Sequence, residues 1–264
     1  MNTQLLGIDI QQDFCNPKGA LFVPGADQDA ERLATMIRRL VRKIDDVHMT
    51  LDCHRLIDVA HPIFWISSNG KHPNPFTIIS EEDVVNGVWT TTNPGWRQRG
   101  VDYVKALATN GRYPLSIWPP HCLIGTWGNC VVPSVSDALL EWQETRFGVV
   151  DFVTKGSNIF TENYSVLISD VPDPSDPTTQ MNTDLLQVLQ EADEIVIAGQ
   201  ALSHCVANTI RDIANNFGED NIKKFVLLDD CCSNVPGFEN LGVDFVKEMR
   251  GRGMRVEKST DYLV

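Results

Sequence analysis

The 264-residue sequence lacks features that would assign it to several common classes of protein. It has no long apolar run that could cross a bilayer and no cluster of lysines or arginines that would bind a polyanion. With 35 acidic and 22 basic side chains, its formal net charge is −13. A charge of this sign repels nucleic acid and anionic membranes. The sequence therefore predicts a protein whose partner is neither a nucleic acid nor a membrane.

The sequence also lacks the pattern of a disulfide-rich protein. Its seven cysteines are odd in number and scattered, and a chain of this length can bury a core without cross-links. The first residues, from Met1 to Asp9, have neither the basic segment nor the apolar stretch of a secretory signal. We therefore expect a cytoplasmic protein with free thiols.

Short apolar runs alternate with amphipathic segments along most of the chain. Strands are predicted over residues 5–10, 47–51, 62–66, 149–153, 195–199, 225–228 and 255–257. Helices are predicted over residues 29–42, 97–110 (with Gly111 as the C-cap), 183–191, 205–216 and 242–250. Repeated alternation of strand and helix predicts an α/β protein with a parallel sheet that is covered by helices on both faces.

The region between residues 67 and 116 does not follow this alternation. It is too long for a plain connection between two elements, and it contains Trp89 and Trp96. We expect one domain over residues 1–264, with an inserted subdomain or lid at about 67–116. This insertion would cover a site or contact another copy of the chain.

Residues 195–206 are the most informative segment. The apolar run from Ile195 to Ala198 leads through Gly199 into a helical repeat, so that Cys205 falls in the first turn of a helix. Free backbone N–H groups and the helix dipole at that position favour a thiolate and can hold an oxyanion. Cys205 is therefore a candidate nucleophile, whereas a lone cysteine is more often a small buried apolar residue.

Two charged residues at other strand ends are candidates to act with Cys205. Asp9 lies at the end of the first strand and Lys155 follows the strand at 149–153, and ligands bind at the carboxyl ends of parallel strands. Asp9 is either a general base or the cap of a helix. The ammonium of Lys155 would lower the pKa of the thiol and would itself be held by Asp9, unless it is simply solvated.

A carboxylate and several imidazoles form a candidate metal site. Asp52 and His54 are two residues apart at the end of the second strand, so extended backbone directs both toward one ion. His121, in a loop stiffened by two prolines, would complete an Asp/His/His face that leaves ligand positions open. His61 is a further candidate ligand or a packing histidine before Pro62. Such ligands suit Zn²⁺, Fe²⁺ or Mn²⁺.

Five motifs occur in a recognisable order. They are Ile8-Asp9-Ile10-Gln11-Gln12-Asp13-Phe14, Asp52-x-His54, Trp118-Pro-Pro-His121-Cys-x-x-Gly-Thr-Trp-Gly128, Lys155-Gly156 and Ser203-His204-Cys205-Val206. Together they resemble the nicotinamidase branch of the isochorismatase-like cysteine hydrolases, over the whole chain except residues 67–116. The resemblance implies a Rossmann-like parallel sheet of six strands in a three-layer fold. Isochorismatases proper resemble the chain in fold but lack the metal ligands and the cysteine.

The resemblance also implies roles for individual residues. Asp9, Lys155 and Cys205 would form a catalytic triad, and Asp52, His54 and His121 would hold one divalent ion, for which Zn²⁺ is preferred over Fe²⁺ or Mn²⁺. Phe14, Trp118 and Tyr164 would contact a pyridine ring. A cis peptide bond between Gln200 and Ala201 would direct the N–H groups of Ala201 and Cys205 into an oxyanion hole.

The implied activity is the hydrolysis of nicotinamide to nicotinic acid and ammonia through a thioester on Cys205, which is a step of NAD salvage. The metal would orient the pyridine nitrogen, and Asp9 would transfer protons. The partner would therefore be a small amide. The sequence leaves open whether the protein is a homo-oligomer.

The chain departs from the family's pattern at several positions. Cys53 and Arg55 flank His54, and Gln200, Leu202 and Ser203 precede the nucleophile in place of more usual residues. One alternative is a cysteine hydrolase of another small amide or carbamoyl compound, although such branches generally lack the metal ligands. The other is a metal- or ligand-binding scaffold without turnover, which would not need Asp9, Lys155 and Cys205 together.

Overall fold

In the computed structural model, which describes residues 1–109 and 113–263, a parallel sheet forms the centre of the fold. In chain order the strands are β1 (Thr3–Ile8), β2 (Asp46–Asp52), β3 (Trp65–Ser67), β4 (Ile78–Ile79), β5 (Trp89–Thr91), β6 (Leu115–Ser116), β7 (Asp151–Lys155), β8 (Glu194–Gly199), β9 (Phe225–Leu228) and β10 (Arg255–Glu257). Six of them form the central sheet in the order β10-β9-β8-β1-β2-β7, and all neighbours are parallel. The predicted six-stranded parallel sheet is confirmed.

Helices surround this sheet. They are α1 (Gln12–Cys15), α2 (Ala26–Arg39), α3 (Glu81–Val85), α4 (Arg97–Thr109), α5 (Pro133–Arg146), α6 (Thr183–Gln190), α7 (Ala207–Phe217) and α8 (Glu239–Gly251). Helix α2 packs against α5, and α7 packs against α6 and α8. The apolar residues of β8 and β9 are buried throughout, as expected for strands that are covered on both faces.

The predicted strand at residues 62–66 is wrong in part. Pro62–Phe64 form a 3₁₀ turn, and only Trp65–Ser67 form a strand, which pairs antiparallel with β5 outside the central sheet. Proline has no N–H to donate to a sheet, and its ring favours the start of a helical turn.

Helix α5 has no counterpart among the predicted helices. It buries Val135, Ala138, Leu139 and Trp142, but the neighbouring Leu140 is 55% exposed. Apolar residues thus lie on more than one side of the helix, which weakens the periodic signal that sequence prediction depends on. For α4, the predicted end at Asn110 and C-cap at Gly111 lie outside the described residues.

The region at 67–116 has regular structure of its own. Strand β3 pairs with β5 and β4 pairs with β6, both antiparallel. Together with α3 and α4 these strands enclose a second apolar cluster, whose buried members are Val59, Phe64, Trp65, Ile79, Val84, Tyr103, Val104, Leu107, Leu115 and Ile117. We propose that this region is a subdomain inserted into one domain of residues 1–264.

Four adjacent strands of the central sheet place their carboxyl ends side by side. These are β8, β1, β2 and β7, and they lead directly to the candidate residues near Ala201, to Asp9, to Asp52 and to Lys155. A parallel sheet places all of these ends at one edge. Within residues 1–109 and 113–263, no helix is long and apolar enough to cross a membrane.

Candidate active site

The structure brings Asp9, Lys155 and Cys205 together at this edge. The Nζ atom of Lys155 lies 3.0 Å from Oδ2 of Asp9 and 3.6 Å from Sγ of Cys205. A carboxylate oxygen of Asp9 and the Cys205 sulfur lie within 4.8 Å of each other, and all three side chains are buried. Asp9 has a φ of 49°, because β1 ends at Ile8 and the chain turns there.

Lys155 also links the triad to Asp52. Its Nζ lies 3.0 Å from Oδ1 of Asp52 and donates a hydrogen bond of 2.8 Å to the carbonyl of Asn163. Burial alone would lower the pKa of Lys155, but the carboxylates of Asp52 and Asp9 raise it well above its usual value. The ammonium therefore stays charged between two carboxylates.

The environment of Cys205 favours a neutral thiol in the resting protein. Burial raises the pKa of Cys205 well above its usual value, and the Asp9 and Asp52 carboxylates raise it further, whereas Lys155 lowers it. Lys155 lowers the pKa of the Cys205 thiol, as predicted, but burial raises it by more. Burial also raises the pKa of Asp9, against the opposing effect of Lys155. Asp9 is thus placed to accept the thiol proton.

Cys205 lies in a single wide helical turn, Leu202–Val206, that precedes α7. The N–H groups of His204 and Val206 both donate to the carbonyl of Ala201, at 3.0 and 3.2 Å. The N–H of Cys205 has no acceptor outside this turn among the described residues. The Gln200–Ala201 peptide bond is cis. Such wide π-type turns are frequent at functional sites.

Asp52, His54 and His121 form one cluster. Each offers a ligand atom, and these atoms all lie within 4.8 Å of one another. Nε2 of His54 and Nε2 of His121 lie 3.2 and 3.6 Å from Oδ2 of Asp52. The Nε2 atom of His54 is buried without a hydrogen bond of good geometry. Two imidazole nitrogens and a carboxylate that converge in this way fit a divalent metal ion.

Hydrogen bonds behind the cluster orient both imidazole rings. Nδ1 of His54 lies 3.1 Å from Oδ2 of Asp58, and Nδ1 of His121 lies 2.9 Å from the carbonyl of Pro119. A proton on each Nδ1 leaves the Nε2 lone pair directed at the cluster, as in other metal sites. Burial would lower the pKa of His54, but Asp52 and Asp58 raise it well above its usual value, so an ion that binds Nε2 would displace a proton from it. Sequence reasoning missed Asp58, whose only signal is its four-residue spacing from His54.

His61 lies beside this cluster. Its ring centroid is 5.2 Å from that of His54 and 5.5 Å from that of His121. Its Nδ1 faces the carbonyls of Arg55 and Leu56, at 3.1 and 3.2 Å, whereas its buried Nε2 has no hydrogen-bond partner among the described residues. Burial is the main cause that lowers the pKa of His61 to about 4. The ring is therefore neutral, but it is not one of the three groups within 4.8 Å.

A pocket reaches from Cys205 of the triad to Asp52 and His121 of the cluster. It is lined by Phe14, Leu21, Asp52, Trp118, His121, Glu162, Tyr164, Ala201, His204, Cys205 and Val235. Nε1 of Trp118 donates to the hydroxyl of Tyr164 at 3.2 Å, and the Phe14 ring meets the His121 ring edge-on at 5.3 Å. The three predicted aromatic residues thus line the same pocket as Cys205.

Four lining residues were not predicted, and two of them, Glu162 and His204, are titratable. Oε1 of Glu162 accepts a hydrogen bond from its neighbour's N–H at 2.8 Å and lies 3.9 Å from Nε2 of His54, while Oε2 is buried without a partner among the described residues. Burial raises the pKa of Glu162 and lowers that of His204 to about 4. His204 adjoins Cys205 and Glu162 lies two positions before Tyr164, and this proximity in the sequence was their only signal.

No profile of a known protein family matches the chain, but individual proteins do. It is 28% identical to the nicotinamidase of Saccharomyces cerevisiae over 231 residues, which are 85% of either chain. It is 26% identical to the nicotinamidase of Escherichia coli over 213 residues, which are 79% of this chain and 74% of its relative.

Solved structures of nicotinamidases and pyrazinamidases share the fold. The yeast nicotinamidase bound to the inhibitor nicotinaldehyde aligns with a TM-score of 0.65 at 18% identity, over 97% of this chain and 99% of the other. The pyrazinamidase of Pyrococcus horikoshii in complex with zinc aligns with a TM-score of 0.59 at 19% identity, over 98% and 99%. Sequence relatives and fold together confirm the predicted resemblance of this chain to the nicotinamidase branch of the isochorismatase-like family.

Proposed function

We propose that the chain is a metal-dependent cysteine amidohydrolase that converts nicotinamide to nicotinic acid and ammonia. The observation that carries the proposal is the buried junction of Cys205, Lys155 and Asp9 beside an Asp/His/His cluster, where Cys205, Asp52 and His121 line one aromatic pocket. Nucleophile, base and metal ligands would not be needed together by a binding scaffold. The curated relatives, both nicotinamidases, support the same conclusion.

The chain's own residues fit one divalent ion. Asp52, His54 and His121 would hold it, and the neutral His61, with its unpartnered Nε2, is the candidate fourth ligand. Imidazole and carboxylate ligands suit Zn²⁺, with Fe²⁺ or Mn²⁺ as alternatives, and a related pyrazinamidase is in complex with zinc. When bound, the ion supplies an electrophilic anchor for the pyridine nitrogen.

The aromatic residues would orient the rest of the substrate. Phe14, Trp118 and Tyr164 line the pocket between the metal ligands and Cys205. A pyridine ring held among them would place its carboxamide carbon near the sulfur of Cys205. Positioning of this kind supplies a large part of the rate enhancement in acyl transfer.

In the first half of the reaction, the sulfur of Cys205 attacks the carboxamide carbon. A new S–C bond forms while the thiol proton passes to Asp9, and the N–H groups of Ala201 and Cys205 bind the oxyanion. Asp9 then gives the proton to the amide nitrogen, the C–N bond breaks and ammonia leaves. The product of this half is a nicotinoyl thioester. Lys155 keeps the base and the sulfur in place throughout.

In the second half, water attacks the thioester carbon. Asp9 takes a proton from the water as the C–O bond forms, and the C–S bond breaks to release nicotinic acid. The proton held by Asp9 returns to the sulfur of Cys205, so the enzyme regains its neutral thiol. The raised pKa values of Asp9 and Cys205 suit this repeated exchange of one proton.

Another small amide or carbamoyl compound is the second candidate substrate, but the metal cluster beside the aromatic pocket favours a pyridine. The hydrolysis would serve NAD salvage. A cytoplasmic location stays a prediction from the sequence, which leaves the oligomeric state open.

The test measures ammonia and nicotinate released from nicotinamide. We compare the unchanged protein, with and without a chelator, with Cys205→Ala and with Cys130→Ala, which alters an exposed cysteine. We expect release by the unchanged protein and by Cys130→Ala, loss in Cys205→Ala, and loss on chelation that Zn²⁺ reverses. No release from the zinc-loaded protein would overturn the proposal.

A further inference from the structure

A hydrogen-bond network behind the pocket reaches the turn that carries Ala201. Asp29 lies in the first turn of α2 and is 4% exposed, and Gln200 follows β8 and is 1% exposed. Nε2 of Gln200 donates to Oδ2 of Asp29 at 2.9 Å. A buried carboxylate on α2 thus holds the residue that immediately precedes Ala201.

Ser233 joins the same network and bonds to both neighbours of Ala201. Its hydroxyl donates to Oδ2 of Asp29 at 2.6 Å, and its N–H donates to Oε1 of Gln200 at 3.1 Å. Its carbonyl accepts from the N–H of Leu202 at 2.8 Å. The backbone of Gln200 is held separately, since its N–H donates to the carbonyl of Ile8 at 2.8 Å. The segment 200–202 is therefore fixed on both sides of Ala201.

This network costs more free energy to bury than apolar packing of the same space would. A buried carboxylate is costly unless it is paired and hydrogen-bonded, and Asp29 needs Arg32 at 2.6 Å in addition to Gln200 and Ser233. Apolar residues of similar volume would fill the same space without that cost. Charge-assisted hydrogen bonds, however, fix direction as well as distance. Gln200, one of the chain's departures from its family's pattern, acquires a specific partner in Asp29.

We propose that Asp29 is a positioning residue which, through Gln200 and Ser233, sets the direction of the Ala201 N–H toward the oxyanion. The inference rests on the proposed function, in which that N–H is part of the oxyanion hole. An oxyanion contact is made in the transition state and not by the bound substrate, so its loss lowers kcat and leaves KM nearly unchanged. Removing one such donor lowers kcat by about 10²- to 10³-fold. A donor that is present but points away from the oxyanion should lower kcat by less than this.

The experiment compares Asp29→Asn and Gln200→Val with Tyr262→Phe. The control removes a partly buried hydrogen bond from Tyr262 to Glu194, at the opposite end of β8 from the turn. We measure kcat and KM for nicotinamide, and the affinities for nicotinaldehyde and for 3-methylpyridine. The aldehyde carbon forms an S–C bond with Cys205 while the thiol proton moves to the aldehyde oxygen, which then lies where the oxyanion forms. 3-Methylpyridine keeps the ring and has no carbonyl.

We expect kcat to fall by roughly tenfold or more in both network variants, with KM within about twofold and a parallel loss of nicotinaldehyde affinity. Affinity for 3-methylpyridine should not change, and Tyr262→Phe should keep normal kinetics while losing thermal stability. Network variants that lose stability but keep kcat and aldehyde affinity would overturn the proposal. If Asp29→Asn does not fold, Gln200→Val and Ser233→Ala each remove part of the network and give the same comparison.

The two proposals fail in different ways. A wild-type protein that does not hydrolyse nicotinamide contradicts the proposed function, yet the aldehyde comparison still tests the network, because adduct formation needs only Cys205 and its turn. A wild-type protein that neither hydrolyses nicotinamide nor binds the aldehyde overturns both proposals.

Discussion

Asp58→Asn is the sharpest test of how the metal cluster is built. In the native site one oxygen of Asp58 faces Nδ1 of His54 at 3.1 Å and the other accepts from the N–H of Ala60 at 2.9 Å. In the variant the amide oxygen can satisfy only one of these donors. If it stays with Ala60, the amide NH₂ faces His54 and favours a proton on Nε2. The lone pair that would bind the metal is then lost.

Changes of this kind in the groups behind metal ligands cost about 10- to 100-fold in metal affinity, which corresponds to roughly 1.4–2.7 kcal/mol. We would measure Zn²⁺ affinity by competition with a chromophoric chelator, and activity as a function of free Zn²⁺. Because the variant leaves Cys205, Lys155 and Asp9 unchanged, activity should recover at saturating metal.

The matched control is Asp83→Asn, which alters another hydrogen-bonded carboxylate, in the capping box of α3. It should bind Zn²⁺ with wild-type affinity. Equal affinities for wild type and Asp58→Asn, or an activity loss in Asp58→Asn that excess metal does not restore, would refute this reasoning.

Three further predictions concern the metal, a buried histidine and a glycine. Removing the metal should lower the midpoint of thermal unfolding, because an ion at 100 times its Kd stabilises the fold by about 2.7 kcal/mol. Calorimetry should therefore give a lower midpoint with a chelator than without one. Identical midpoints would exclude a bound ion. Burial lowers the pKa of His204 from 6.5 to about 4, so the unfolded state binds the extra proton and stability is lost as pH falls from 6.5 toward 4. At pH 5 this loss is about 2 kcal/mol. Urea unfolding at pH 7 and pH 5 should therefore show a smaller decrease in the free energy of unfolding for His204→Phe than for the wild type. An equal decrease in the two proteins would contradict this prediction. Gly156 has a φ of +82°, and a Cβ there would lie 2.8 Å from Oδ1 of Asp52. Gly156→Ala should therefore weaken Zn²⁺ binding in the chelator assay, whereas Gly218→Ala, with a φ of +78° and open space around it, should lose only stability; equal Zn²⁺ affinities would show that the Asp52 contact is unimportant.

Much of the fold could be predicted because its signals are local. The apolar run that forms β8 and the Asp52-x-His54 spacing that ends β2 are both visible within a few residues, and strand adjacency then follows from parallel α/β topology. Helix α5 was missed because its apolar residues do not form one stripe. The strand predicted at 62–66 was shortened because Pro62 favours a turn.

Residues that act behind the site were beyond sequence reasoning for a different reason. Asp29 lies 171 positions from Gln200, and Asp58 is recognisable only once its carboxylate is seen to face the His54 ring. Their contribution depends on a contact that the fold creates, and no local pattern records it.

The charge state of Cys205 shows the same limit. Its position near the start of a helix predicts a thiolate, and Lys155 favours the thiolate because its charge lowers the pKa of Cys205. The degree of burial, which depends on the whole fold, outweighs both and favours the thiol. Activation by Asp9 during attack is therefore part of the proposed mechanism.

The most direct test of the central claim is mass spectrometry of the peptide that contains Cys205, isolated after acid quenching of turnover with nicotinamide. Samples would be taken over a range of times with the metal-loaded protein. The proposed mechanism predicts a nicotinoyl thioester on Cys205 and on no other cysteine, which added hydroxylamine converts to the hydroxamate. Release of nicotinate with no acyl group on Cys205 at any time, and with no hydroxamate formed, would contradict covalent catalysis by this residue.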